Sequence, residues 1–188
     1  MKIYFHMNLN KISNCYVVVN EVDKKAIIID PGKITTKIID QIEDEGYELC
    51  AALITHNHSG HTQGLKTLRK IYDLTVYAAD GFIAGAATRV IRGDGTIKAA
   101  GLNISYFALP GHSADSIVYK IGNVLFTGDT IENGLIGSTY SNYAKKMLIT
   151  GIRQKILTQQ DDTIIMPGHG PLSTVGAESM FNTEVSER

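Results

Sequence analysis

Five short apolar runs end at a turn or loop that carries a histidine or an aspartate: AIIID at residue 30, CAALIT before HNHSGH at 56–61, ALPGH at 112, VLFTGD at 129 and IIMPGH at 169. Runs of this length, rich in β-branched residues and bounded by Gly and Pro, read as strands. The polar side chains therefore sit at strand ends, where rigid support and access to solvent coincide. Repeated placement of that kind favours a shared chemical role over a set of unrelated structural histidines.

Between the runs the apolar period changes. Ile34, Ile38, Ile39 and Ile42 follow helical spacing and Gly46 supplies a stop, so ITTKIIDQIEDEGY is expected to be an amphipathic helix. HTQGLKTLRKIY has the same spacing at Leu65, Leu68 and Ile71, and TVYAA returns to strand. DGFIAGAATRVI is expected as a short helix, although its glycines weaken the pattern. ISYFALPGH, SIVYKI and NVLFTGD are spaced like an antiparallel meander with a turn at Gly122-Asn123. Residues 140–157 read as a helix, TIIMPGHG as a final strand and loop, and NTEVSER as a polar tail expected to fray. This mixture suggests an α/β chain with two sheets and helices outside, a layout that periodicity alone does not separate from other α/β arrangements. The length, 188 residues, suits one domain spanning 1–188.

Charge excludes one class of partner. The chain carries 18 Lys+Arg against 19 Asp+Glu, a formal charge of −1, with no basic cluster to meet nucleic acid. The N-terminus, MKIYFHMNLNKISNC, lacks the apolar run of a signal peptide, and no stretch approaches the roughly 20 apolar residues that span a bilayer. A cytoplasmic location without membrane contact is the expectation. Cys15 and Cys50 stand in strand-like apolar contexts and are expected to be free, buried thiols.

Of the six histidines, His6 lies inside a plain strand pattern and reads as structural. Asp30, before Pro-Gly, reads as a turn former, and Asp115 as an exposed turn residue. The rest point to metal. His56 and His58, two apart on an extended loop, can face the same way, and His61, opening the next helix, would face a neighbouring ion. Six candidate ligands, His56, His58, His61, His112, Asp129 and His169, are too many for one tetrahedral zinc. They suit two ions that share the Asp129 carboxylate.

With those residues in place, the chain resembles the metallo-β-lactamase fold superfamily of metal-dependent hydrolases. The superfamily signature runs T-H-x-H-x-D-H; here Thr55, His56, His58 and His61 match it, and Gly60 stands where the Asp belongs. Asp30 of IIIDPG, His112 of LPGHS, Asp129 of FTGDT and His169 of PGHG follow in family order, so the resemblance covers nearly the whole chain. It implies an αββα four-layer sandwich with the metal site on one edge of the sheets. His56, His58 and His112 would hold a first ion; His61, His169 and Asp129 a second, with Asp129 bridging. FTGDT and QQDDTIIMPGHGP look most like small glyoxalase II-like hydrolases. Two departures bear on the substrate. Gly137-Ser138-Thr139-Tyr140 replaces a Gly-Arg-x-Asp stretch, and the chain ends soon after His169, where full-length glyoxalase II continues into a helical domain that grips glutathione.

The implied function is hydrolysis of a small-molecule thioester or ester by water activated on Zn²⁺, one ion or two, with Fe or Mn also suited to such ligands. Phosphodiester cleavage is the alternative chemistry. Asp129 and position 60 are the expected catalytic positions, and Gly60 supplies neither charge nor oxygen, so the second site should be weakened. Three readings of Gly60 stay open: a single-metal hydrolase, a metal-stabilised binding module without catalysis, or a variant introduced into a two-metal sequence.

Overall fold

The computed structural model describes residues 1–186. In chain order its elements are β1 (Lys2–Asn8), β2 (Ser13–Asn20), β3 (Lys25–Ile29), α1 (Thr36–Asp44), β4 (Glu48–Leu53), α2 (Ser59–Thr62), α3 (Leu65–Ile71) and β5 (Thr75–Ala78). There follow β6 (Phe82–Ile83), β7 (Ala86–Ala87), β8 (Arg89–Val90), β9 (Asp94–Ala99), β10 (Leu102–Ala108), β11 (Ile117–Ile121) and β12 (Val124–Gly128). The last are α4 (Asn142–Lys155), β13 (Ile164–Pro167), β14 (Ser173–Thr174) and α5 (Val175–Phe181). Two six-stranded sheets result, ordered β1-β2-β3-β4-β5-β8 and β14-β13-β12-β11-β10-β9.

Strand periodicity explains the layering. Along β2, Cys15, Val17 and Val19 point to one side and Tyr16 and Val18 to the other; along β3, Ile28 opposes Ile27 and Ile29. Both faces are apolar because both are covered, which is why these strands read as unbroken aliphatic runs. Tyr16, Val18, Ile27 and Ile29 meet Ile104, Ile117, Tyr119 and Phe126 of the second sheet in a central core. On the outer face of the first sheet, Val17 and Ile28 pack against Ile38 and Ile42 of α1 and Leu65 and Leu68 of α3. On the outer face of the second, Val118, Leu125 and Ile165 meet Leu148 and Ile152 of α4 and Val175 of α5. The layers are thus α, β, β, α, as the resemblance implied.

The meander β10-β11-β12 is antiparallel, turning at Gly122 with φ +58°. Thr35 caps α1 and Ser141 caps α4, each accepting from the backbone N–H three residues on.

Four expectations need correction. Residues 80–91 form no helix: β6 and β7 make a hairpin through Ala84 (φ +54°) and Gly85 (φ +81°), after which β8 joins the edge of the first sheet. Two successive positive φ values make that hairpin turn, and alanine in the first position hid it. The helix after the histidine cluster is broken into α2 and α3. Gly64, between them, gives its N–H to the Pro31 carbonyl at 2.8 Å, and a Cβ there would collide with that oxygen. A short helix, α5, follows His169, and the polar tail is anchored at its start: Asn182 and Val185 are buried, Val185 inside the outer core. Glu187 and Arg188, the end of that tail, lie outside the described residues. Finally, Cys50 is only partly buried, although both cysteines are free as expected.

Candidate metal centre

The loops after β4, β12 and β13 are tied to one another and across the gap between the sheets. Ile117 N–H donates to the Thr55 carbonyl at 2.8 Å, Asn14 N–H to Gly168 at 2.7 Å, and Gly168 N–H to Gly128 at 2.8 Å. Gly128 allows the closest approach. It holds φ +51°, and a Cβ on it would overlap the Thr55 side chain that lies behind it. The strand ends carrying polar side chains are therefore locked at one edge of both sheets.

All six candidate ligands meet there. His56, His58, His112 and Asp129 form one group able to hold a metal ion, and His61, Asp129 and His169 form another, the ligand atoms of each lying within 4.8 Å of one another. Asp129 Oδ2 is 3.6 Å from His56 Nε2, 3.5 Å from His61 Nε2 and 3.6 Å from His112 Nε2. His169 Nδ1 lies 2.8 Å from Asp129 Oδ1. A zinc ion about 2.0–2.1 Å from each ligand separates tetrahedral ligand atoms by roughly 3.3–3.4 Å, close to those three distances. The Nε2 atoms of His56 and His61 are buried with no hydrogen-bond partner among the described residues, a costly condition unless a further group binds them. The residues fit a metal.

The other ring nitrogens are occupied, which fixes which nitrogen of each ring faces inward. His61 Nδ1 lies 3.0 Å from Asp30 Oδ2 and His112 Nδ1 donates to the Ser138 carbonyl at 2.9 Å. Thr55 Oγ1 donates to Asp30 Oδ2 at 2.6 Å and so accepts from His56 Nδ1 at 3.1 Å. His58 differs: it is Nδ1 that faces the cluster, 3.1 Å from His112 Nε2. Charge completes the picture. Burial, and then the positive His61, lower the His56 pKa to about 3, leaving its lone pair free at neutral pH. Burial opposes protonation of His61 too, but the Asp30 and Asp129 carboxylates outweigh it and hold its pKa at about 10. Asp129 is itself buried, yet His169 bonded to it and the positive His61 beside it keep its carboxyl well below the usual range.

Known proteins resemble this chain in sequence and fold. The Metallo-beta-lactamase superfamily description matches residues 10–86. The chain is 30% identical to the probable metallo-hydrolase YqgX of Bacillus subtilis over 193 residues, covering 90% of each. The chain belongs to the metallo-β-lactamase superfamily. It is 31% identical to the hydroxyacylglutathione hydrolase GloC of Haemophilus influenzae, covering 90% of this chain and 91% of that one. Against a hydroxyacylglutathione hydrolase of Chromohalobacter salexigens identity is 34%, but the chain spans only 57% of that protein's length. Among solved structures, BLEG-1 B3 metallo-β-lactamase superposes with TM-score 0.90 at 27% identity over 99% of this chain and 100% of that one. TTHA1623 in a di-iron-bound form superposes with TM-score 0.78 at 24% identity, covering 91% and 94%.

Within this superfamily member, Asp30 is not the turn former its Pro-Gly context suggested. It is buried, holds the left-handed φ of +49°, and accepts from Thr55 N–H (2.8 Å) as well as Thr55 Oγ1 and His61. Strain of this kind at a non-glycine residue persists where surrounding bonds over-determine it. The available signal was an acid ending a fully aliphatic strand, a place with little water. Asp115 also does more than turn: Asn57 N–H donates to its Oδ2 at 2.7 Å, clamping the backbone between His56 and His58. His6 is structural as expected, bonded to Gln41 at 2.7 Å.

Gly60 lies in α2, with no backbone need for glycine. A Cβ there would meet Ser13 Cβ and Oγ at 3.6 Å and Lys11 Cβ at 3.7 Å, ordinary van der Waals contact. Gly60→Asp is therefore expected to fold normally and to strengthen the second equivalent of Zn²⁺ by about 10-fold, the scale on which single site partners act. Calorimetric zinc titration of the two proteins checks this; unchanged affinity contradicts it.

Proposed function

We propose that this protein is a metal-dependent hydrolase acting on a small thioester or ester, with His56, His58 and His112 holding one ion and His61, Asp129 and His169 a second. The observation that carries the reading is the pair of buried, unpartnered Nε2 atoms of His56 and His61, both facing the Asp129 carboxylate. Such an ion supplies Lewis acidity, making water nucleophilic near neutral pH and polarising a carbonyl. Zinc suits the ligands, and iron and manganese remain compatible with them.

The chain's own contribution is preorganisation. The Asp30–Thr55–His56 chain of hydrogen bonds and the Asp30–His61 contact hold two imidazoles with Nε2 inward before any substrate arrives. Asp129 Oδ2, equidistant from three of those nitrogens, is placed to accept a hydrogen bond from the attacking water and so orient its lone pair. The thioester class is supported by the relative named hydroxyacylglutathione hydrolase that the chain matches over nine-tenths of both lengths. The reading takes the chain as a single domain over 1–188 working in the cytoplasm; among the described residues no helix is long and apolar enough to cross a membrane.

The test is hydrolysis of a hydroxyacylglutathione thioester beside bis(p-nitrophenyl) phosphate. The zinc-loaded protein is expected to cleave the thioester at least ~100-fold faster than the chelated protein, a gain of about 3 kcal/mol in transition-state stabilisation. Cleavage of the phosphodiester alone would move the chemistry to phosphorus.

A further inference from the structure

His169 is held differently from three of the other candidate ligands. A group outside the clusters bonds the outward ring nitrogen of His56, His61 and His112: Thr55, Asp30 and the Ser138 carbonyl in turn. Among the described residues the ring of His169 bonds only Asp129, which is itself a candidate ligand. Its placement therefore depends on its backbone.

The start of β2 grips that backbone. Ser13 forms an isolated antiparallel bridge with His169. Asn14 Nδ2 donates to the Pro167 carbonyl at 2.9 Å and to the Gly170 carbonyl at 2.8 Å, while its backbone N–H donates to Gly168 at 2.7 Å. Tyr16 Oη donates to the Pro167 carbonyl as well, at 2.7 Å. Turned the other way, the Asn14 amide would set its oxygen against two carbonyl oxygens, so these contacts fix its orientation. The other end of the amide bears a cost: Asn14 Oδ1 is buried with no hydrogen-bond partner among the described residues. An unpaired buried acceptor lowers stability, so the contribution of Asn14 lies in what its donors place. The same stretch reaches the second cluster's other histidine. Ser13 Oγ donates to the Gly60 carbonyl at 2.7 Å, in the short helix that carries His61. Gly168 sets the spacing between the two: a Cβ on it would overlap both Asp129 Oδ1 and His61 Cε1, so the loop of His169 lies directly against them. The side-chain bonds of Asn14 and Tyr16 reach only residues 167–170, which carry no candidate ligand of the first ion.

We propose that Ser13, Asn14 and Tyr16 are positioning residues for the second ion, fixing His169 against His61 before the ion arrives and so offsetting in part the carboxylate that Gly60 does not supply. The assignment rests on the metal-centre reading above. It gives the buried polar start of β2 a role in the site that none of its residues performs by touching the ion.

Zinc binding to the whole chain, followed by calorimetry and by elemental analysis after desalting, tests the assignment, with urea unfolding of the metal-free protein run in parallel to measure stability by itself. Wild type is expected to bind two equivalents, the second more weakly. Asn14→Ala removes both Nδ2 bonds and leaves every candidate ligand in place; it is expected to keep the first equivalent within about 2-fold and to weaken the second at least ~10-fold. The Co²⁺ absorption that grows in with the second equivalent should change in this variant, and that of the first should not. Tyr16→Phe removes a single hydroxyl and carries the test alone should Asn14→Ala fail to fold; it is expected to weaken the second equivalent about 5-fold, the scale of one hydrogen bond. A clamp that serves the fold alone predicts lower urea midpoints with both equivalents unchanged, or both weakened alike. Either pattern, or a single equivalent in wild type, would overturn the assignment and leave the metal-centre reading standing. Uptake of no ion by wild type would overturn both.

Discussion

Asp30→Ala is expected to lower the unfolding free energy by about 3–5 kcal/mol, the range found when one partner of a buried charged contact is deleted. Three groups lose their acceptor at once: Thr55 N–H, Thr55 Oγ1 and His61 Nδ1. All are buried, so their desolvation goes uncompensated. The functional effect comes through orientation. Without Asp30 the Thr55 hydroxyl no longer has a fixed donor direction, and neither His56 nor His61 is held with Nε2 inward. Urea unfolding of the metal-free protein measures the first effect, and zinc titration the second, where affinity should fall roughly 10- to 100-fold. A change within 0.5 kcal/mol, the usual size for surface substitutions, would show that Asp30 is only a turn residue.

The larger loss of activity belongs to Asp129→Ala. This carboxylate faces both groups of histidines, so its removal takes an anionic oxygen from each. Affinity for zinc at both clusters is expected to fall, and thioester hydrolysis at saturating zinc to drop at least ~100-fold, about 3 kcal/mol of transition-state stabilisation. Asp129→Asn, nearly isosteric, separates charge from shape: it should fold as wild type and still lose most of the rate. Retention of more than half the wild-type rate by either variant would remove Asp129 from the catalytic account.

Much of the architecture was legible because burial on both faces leaves a plain mark. AIII and VVV have no polar position, as strands between two covered faces must, and the loops after short apolar runs carried every candidate ligand. What stayed hidden depended on tertiary contact. The hairpin at Ala84-Gly85 is a turn written with a residue that rarely takes positive φ, and α5 is a short helix with two buried side chains, Val175 and Glu178. Asn182 and Val185 look like a polar tail until their partners at Leu135 and in the outer core are seen. In the site, the candidate ligands were legible from their place at strand ends, whereas the contacts of Asp30 and Thr55 depend on hydrogen bonds across 25 residues of sequence that no local pattern displays.

The central claim, that the histidine–aspartate cluster is a hydrolytic metal centre, is met most directly by titrating the chelated protein with zinc while following both uptake and cleavage of a hydroxyacylglutathione thioester. Activity rising in step with metal uptake and abolished again by chelator is the predicted result. Zinc taken up stoichiometrically while both the thioester and the phosphodiester remain intact would contradict it, and would make the cluster a cross-link that holds the two sheet edges together.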